Sequence, residues 1–341
     1  MSRRPAIVLD CDPGQDDAMA ILLAARHLDV VGITTVHGNQ SLEKVTRNAL
    51  KILTLAGLEH IPVHPGAARP FVGEARHAPE VHGETGLDGA QLPEPVIEPQ
   101  PRHAVDFLRE AAVEHEPLTL VATGPLTNVA AALQLEPALA GRLEQITLMG
   151  GAVTGGNVTP AAEFNIWADP EAARLVLHSG VPIRMAGLDL THQAIVGPEQ
   201  LDRLRATGTR VGEVCVDLLS FYSARSSART GLAGAPLHDP CAVAWVIDPG
   251  LLEARRMHVD VELRGELTRG MTVCDTRPVA DGAEGTRRQP VQAADTAEAT
   301  SRLPDAGVGP GRYPPPNAEV GLRLDVARFF DLFVETVRSY G

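Results

Sequence analysis

Lysine is nearly absent from this chain: of 30 Lys and Arg side chains in 341 residues, only Lys44 and Lys51 are lysines. Acidic side chains outnumber basic ones by 43 to 30, the formal net charge is -13, and no basic patch occurs in the sequence. Binding along a nucleic-acid backbone needs clustered Lys and Arg, so nucleic acid is excluded as a partner. The preference for arginine says more about codon usage than about function. Cysteine is also sparse. Cys11, Cys215, Cys241 and Cys274 lie far apart, with neither the paired spacing of a zinc site nor the density of a secreted disulfide scaffold. Reduced thiols in a cytoplasm fit this usage. No apolar run reaches membrane-spanning length, and the run that follows Arg3-Arg4 is ended by Asp10, too early for a signal peptide. The expectation is a soluble cytoplasmic protein with no membrane partner.

What is present is an apolar content of 44%, enough for a large core, and an unusual crowding of carboxylates. Asp10, Asp12, Asp16 and Asp17 fall within eight residues, directly after the apolar run Ala6-Ile7-Val8-Leu9. Like charges this close raise one another's pKa and destabilise the fold unless a cation or a proton relieves them. Pro13-Gly14 makes a tight turn and Asp16-Asp17 opens a helix, whose N-terminus favours negative charge, so the carboxylates can face one small volume. One Asp as a helix N-cap, worth about 1 kcal/mol, accounts for only one of the pair. With no thiolate or imidazole at ligand spacing, the cluster suits calcium or magnesium better than zinc.

Strand-like runs alternate with helical patterns from the start: a strand over residues 6–10, a helix over 16–27, a strand over 30–36 and a helix over 41–55. Further buried strands are expected at 118–122, 145–149 and 183–187. This order predicts an α/β fold, a single large domain with a mainly parallel central sheet flanked by helices and ligands at the carboxyl ends of the strands. Polar clusters fall at those ends: Asp10 and Asp12, then His37-Gly38-Asn39, then Thr123-Gly124, then Gly150-Gly151. Residues 277–316, rich in Gly, Pro, Ala and charge, read as a flexible insertion within the one domain 1–341. Strands are expected on its two flanks, 271–274 and 320–324. The last helix, 326–338, carries Phe329, Phe330, Leu332, Phe333 and Val337 at core spacing.

The segment Asp10-Cys11-Asp12-Pro13-Gly14-Gln15-Asp16-Asp17-Ala18 resembles the N-terminal signature of the inosine-uridine preferring nucleoside hydrolases, a family of N-ribohydrolases. Thr35-Val36-His37-Gly38-Asn39, Val81-His82-Gly83-Glu84-Thr85-Gly86, Ala122-Thr123-Gly124-Pro125-Leu126-Thr127-Asn128, Leu148-Met149-Gly150-Gly151, Ala162-Glu163-Phe164-Asn165 and His238-Asp239-Pro240 agree with that family in order and spacing. The resemblance implies the nucleoside hydrolase fold, a ribonucleoside substrate, a dimer or tetramer of identical chains, and calcium held by Asp12, Asp17, the Thr123 carbonyl and Asp239. It further implies Asp16 as the general base that deprotonates a calcium-bound water, Asp10 as a brace behind the ligands, and His238 as the acid that protonates the leaving base. Asn39, Asn157, Glu163 and Asn165 match the ribose-gripping positions, and His82 and Tyr222 match positions around the base. Glu163 and Asn165 flank an apolar residue, so on an extended segment they would point to one side. One position departs from the pattern: Ser226 stands where the family has a second pocket tyrosine, which leaves the choice between purine and pyrimidine open.

Two other readings compete. Asp10-Cys11-Asp12 also resembles the paired aspartates of haloacid-dehalogenase-like phosphatases, but Pro13-Gly14-Gln15 replaces the expected small hydroxyl residue and no lysine follows Lys51. A nucleoside-binding protein without turnover would keep the ribose grip and dispense with the base Asp16. Phosphorolysis is disfavoured because an acidic rim repels phosphate.

Overall fold

The strand Ala6–Cys11 (β1) is apolar without alternation as far as Leu9 and buried along almost its whole length, as a strand covered on both faces must be. Ile7, Leu9 and Cys11 pack into one apolar cluster, and Val8 packs into a second on the opposite face, the period of two that a pleated strand imposes. A computed structural model describes residues 4–231, 233–277 and 314–341. The expected insertion at 277–316 lies outside the described residues except for 277 and 314–316.

Among the described residues the sheet has eight strands. On one side of β1 lie Asp29–Thr35 (β2) and Val63–Pro65 (β3), and on the other Leu118–Ala122 (β4), Leu143–Met149 (β5) and Ile183–Ala186 (β6). These pair in parallel, as does Ala318–Leu324 beside β6. The exposed edge strand Leu252–Met257 closes the sheet antiparallel. The expected single α/β domain with a mainly parallel sheet is therefore what forms. Of the two strands expected beside the insertion, Ala318–Leu324 joins this sheet, whereas Thr272–Cys274 pairs with Val259–Val261 in a separate ribbon.

Helices cover both faces. Gln15–His27 (α1), Arg210–Thr230, His238–Ile247 and Val326–Arg338 contribute to the first cluster, and Ala104–Glu114, Thr127–Leu135 and Pro170–Leu177 to the second. In the last helix Phe329, Phe330, Phe333 and Val337 are buried and Leu332 is half-buried against the same core. Each fully buried Phe stabilises the fold by roughly 2–3 kcal/mol. Among the described residues no helix is long and apolar enough to cross a membrane.

The register decides where the chemistry falls. Asp10 stands level with Thr34 of β2 and Ala122 of β4, so the segments leaving β1, β2 and β4 start at one height. The chain from β5 and β6 emerges on the same edge, because all five strands run in parallel.

Candidate active site

Immediately after β1 the chain turns through Pro13 and Gly14 into α1, which begins at Gln15. Gly14 is required by space: a Cβ there would come 2.4 Å from Nδ1 of His82. Its amide donates to Oδ2 of Asp17 at 3.0 Å, so Asp17 closes the first turn of α1 from inside the helix. Neither Asp16 nor Asp17 is the N-cap, a position held by Gly14. Likewise Asp239 is no cap, because its helix starts at His238 after Leu237.

Asp16, Asp17 and Asp239 converge, with one oxygen of each within 4.8 Å of the others, and all three are buried. Asp17 also accepts from the Thr123 hydroxyl at 2.9 Å and from the Asn39 side-chain amide at 3.2 Å. Asp12 stands beside this trio and is turned toward the loops that follow β2 and β4. Its Oδ2 accepts from the Asn39 backbone amide at 2.6 Å, and a Cβ at Gly38 or Gly124 would come within 2.0 or 2.7 Å of its carboxylate. Those two glycines leave the room that Asp12 occupies. Asp10 sits deeper, where Thr34 and Asn128 both donate to its Oδ1, at 2.6 and 2.8 Å.

Three carboxylate oxygens, Oδ2 of Asp10, Oδ1 of Asp12 and Oδ1 of Asp16, are sealed from solvent with no hydrogen-bond partner. Buried, unpaired carboxylates resist ionisation. Burial first, then the charge of Asp17, pushes Asp16 up to about 8 and lifts Asp12 well above the ordinary range. Burial also raises Asp17, against the donors Gly14 and Thr123, and raises Asp239 well above its usual value with the help of Asp16 and Asp17. At Asp10 burial outweighs the donors Asn128 and Thr34 and the carboxyl rises to about 7. An all-oxygen set with unspent, buried lone pairs fits a hard cation.

A cavity opens over this floor. Asp16, Asn39, His82, Thr123, Asn157, Glu163, Asn165, Tyr222, His238 and Asp239 all line it, and Asp10, Asp12 and Asp17 lie behind. Asn165 differs from expectation in its backbone, because it lies in the short helix Phe164–Ala168 and not on an extended segment. Glu163, itself extended, is the N-cap of that helix, and its carboxylate accepts from the amides of Gly151, Asn165 and Ile166. Asn165 spends its amide protons on the carbonyls of Thr123 and Met149, at 2.7 and 3.1 Å. The exposed Asn157 accepts from the Phe164 amide at 3.0 Å.

On the opposite wall Tyr222 and Ser226, one turn apart on Arg210–Thr230, face the cavity, and the Tyr222 ring stacks on His82 at 5.5 Å between centroids. Burial, with Asp16 and Asp239 next, pushes the Tyr222 hydroxyl well above its ordinary value. Burial likewise lowers His82 and His238, each to about 3. Burial thus disfavours the charged form of the His238 imidazole.

Three neighbours of these residues escaped the sequence reading. His192 lines the cavity with its ring 5.6 Å from that of His238. Thr191 holds Nδ1 of His238 at 2.7 Å, and Gln15 holds Nδ1 of His82 at 2.7 Å. Thr191 and His192 follow β6, so the strand-end logic that singled out the other loops would have found them. Gln15 stands inside the aspartate motif itself.

The family model described as inosine-uridine preferring nucleoside hydrolase matches residues 7–331. A pyrimidine-specific ribonucleoside hydrolase RihA of Photobacterium profundum is 48% identical over 279 residues, 81% of this chain and 90% of that protein. The protein of that name from a Shewanella species is 49% identical over 273 residues, 79% of this chain and 86% of its own length. Among solved structures, a purine-preferring ribonucleoside hydrolase from Gardnerella vaginalis superposes with a TM-score of 0.83 at 30% identity, covering 98% of both chains. A plant nucleoside hydrolase does so with a TM-score of 0.82 at 32% identity, covering 98% of this chain and 99% of that one. The match spans all the strand-end loops that build the cavity, and on that ground the chain belongs to the inosine-uridine preferring nucleoside hydrolase family and is a ribonucleoside hydrolase.

Proposed function

We propose that this enzyme hydrolyses the N-glycosidic bond of pyrimidine ribonucleosides to free base and ribose, with calcium as its metal and Asp16 as general base. The observation that carries the reading is the buried trio Asp16, Asp17 and Asp239 on the floor of a cavity, with Asp12 and Asp16 each keeping a sealed, unpartnered oxygen. Asp12, Asp17, Asp239 and the carbonyl of Thr123 would hold the cation. That carbonyl already accepts from Asn165, and its second lone pair remains for a ligand role. When bound, calcium supplies the positive charge that relieves the crowded carboxylates and a flexible oxygen shell suited to water and ribose hydroxyls.

Asp16 alone of the four N-terminal aspartates reaches the cavity, and it takes the proton from the attacking water. Glycosidic cleavage builds positive charge on the sugar. Asn165, its amide protons already spent, turns an acceptor oxygen to that charge, and Glu163 keeps a free carboxylate lone pair. Asn157, whose oxygen is engaged, offers amide protons to a ribose hydroxyl. Asn39 ties the two loops by donating to the Asp12 carbonyl and to Asp17. His82 and Tyr222 flank the base, and His238 assists its departure as a neutral hydrogen-bond donor. The preference for pyrimidine rests on the relatives of that name at 48% and 49% identity, against 30% for the purine-preferring structure. A cytoplasmic dimer or tetramer of identical chains belongs to the same reading.

A reducing-sugar assay over purine and pyrimidine nucleosides, with and without phosphate and with a calcium chelator, tests this. Ribose release from uridine or cytidine without phosphate, lost on chelation and restored by calcium, is the expected result. Release that needs phosphate would make the enzyme a phosphorylase. Tight nucleoside binding without release would make it a binding protein.

A further inference from the structure

Two imidazoles face the base, and the hydrogen bonds behind them have opposite sense. The Gln15 side-chain nitrogen donates to the carbonyls of His82 and Asp88, at 3.1 and 3.2 Å. Carbonyls only accept, so the amide orientation is fixed and the Gln15 oxygen is the atom 2.7 Å from Nδ1 of His82. Nδ1 of His82 must therefore carry the proton, and Nε2 is left as a bare acceptor. At His238 the partner of Nδ1 is the fully buried Thr191 hydroxyl, at 2.7 Å. That hydroxyl makes no other side-chain hydrogen bond among the described residues. Accepting from His238 would strand its own proton in the core, a cost of about 1–3 kcal/mol. Donating to Nδ1 spends it. The proton of His238 then sits on Nε2.

Both histidines line the cavity. Each ring spends Nδ1 on a neighbouring side chain, Gln15 or Thr191, which leaves Nε2 as the nitrogen available to a base in the cavity. We propose that Gln15 and Thr191 are positioning residues that lock His82 and His238 in opposite neutral tautomers, giving the base one acceptor, Nε2 of His82, and one donor, Nε2–H of His238. The class of base this edge fits carries both a ring carbonyl and an N–H or amino group, as uracil and cytosine do. The inference deepens the hydrolase reading and rests on it only for the identity of the ligand.

The test is a long-range proton–nitrogen correlation spectrum of the full-length protein labelled with nitrogen-15 in histidine, at pH 7.5. Loss of signals in His82→Asn and His238→Asn assigns the two rings. The expected result is protonated Nδ1 for His82 and protonated Nε2 for His238. Thr191→Val should move His238 to a mixture of tautomers and lower kcat ~10-fold or more with KM little changed, and Thr191→Ser should restore both. Identical tautomers at the two rings in the unsubstituted protein, or an unchanged His238 pattern in Thr191→Val, would overturn the proposal. The spectrum needs no turnover, so the expected tautomers in a protein that releases ribose from no nucleoside would sink the hydrolase reading and leave this one standing.

Discussion

At Asp16 two roles compete. It shares the trio with Asp17 and Asp239, as a metal ligand would, yet it lines the cavity where a proton must be taken. Asp16→Asn keeps the shape and removes the basicity, so turnover should fall about 100-fold or more, while calorimetry should record calcium binding as before. Near-normal turnover would remove Asp16 as the base, and lost calcium binding would move it among the ligands. The aspartates of the first motif were legible because their crowding is local, within eight residues. Asp239 was placed beside them by resemblance alone, since nothing in sequence spacing links it to Asp17 222 residues earlier. Gln15 and Thr191 were missed for the same reason: each acts on a histidine 67 or 47 residues away. Glu163 and Asn165 both line the cavity, but the helical backbone of Asn165 was not foreseen. Glu163 accepts three backbone amides, and that capping starts a helix where an extended segment was expected.

Elements read well where both faces are buried and poorly at the margins. β1, β4 and β6 were visible as apolar runs, but Leu252–Met257, with Glu253, Arg255 and Arg256 exposed on an edge, has no apolar pattern to detect. The ribbon strand Val259–Val261 was missed too, and a side chain in it carries a prediction about how it docks on Pro170–Leu177. Asp260 accepts from Arg174 at 3.0 Å, from the Val261 amide at 2.7 Å and from His178 at 3.2 Å. Burial raises this carboxyl, but the His178 and Val261 hydrogen bonds and the Arg174 charge outweigh it and hold it down at about 2. A carboxylate depressed in the folded state stabilises above its unfolded pKa, about 3.9, and that stability is lost as pH falls through the folded value. Asp260→Asn should therefore melt at a lower temperature than the unsubstituted protein near pH 5, and the gap should close as pH approaches 2. A gap constant from pH 5 to pH 2 would show that the ionised form does not bind the ribbon to the helix.

At the scale of the molecule, parallel topology turns five separated loops into one rim, because β1, β2, β4, β5 and β6 all deliver their carboxyl ends to the same edge. Asp10, Asp12, Asp16 and Asp17 reach that rim at the end of β1, and the helix His238–Ile247 adds Asp239, all in a region with almost no solvent access. Their raised pKa values mark a fold under charge strain when no cation relieves it. A ligand that binds only the folded chain stabilises it by mass action, by about 2.7 kcal/mol when present at 100 times its Kd. The unfolded chain scatters these carboxylates and offers no such site. Calcium should thus raise the melting temperature progressively with concentration, and a chelator should lower it. Asp17→Ala, which removes the side chain joining Gly14, Asn39 and Thr123, should abolish calcium binding and leave the melting temperature indifferent to both additions. If Asp17→Ala melts with the same calcium dependence as the unsubstituted protein, the cation is held elsewhere and the assignment of this cluster as the metal centre fails.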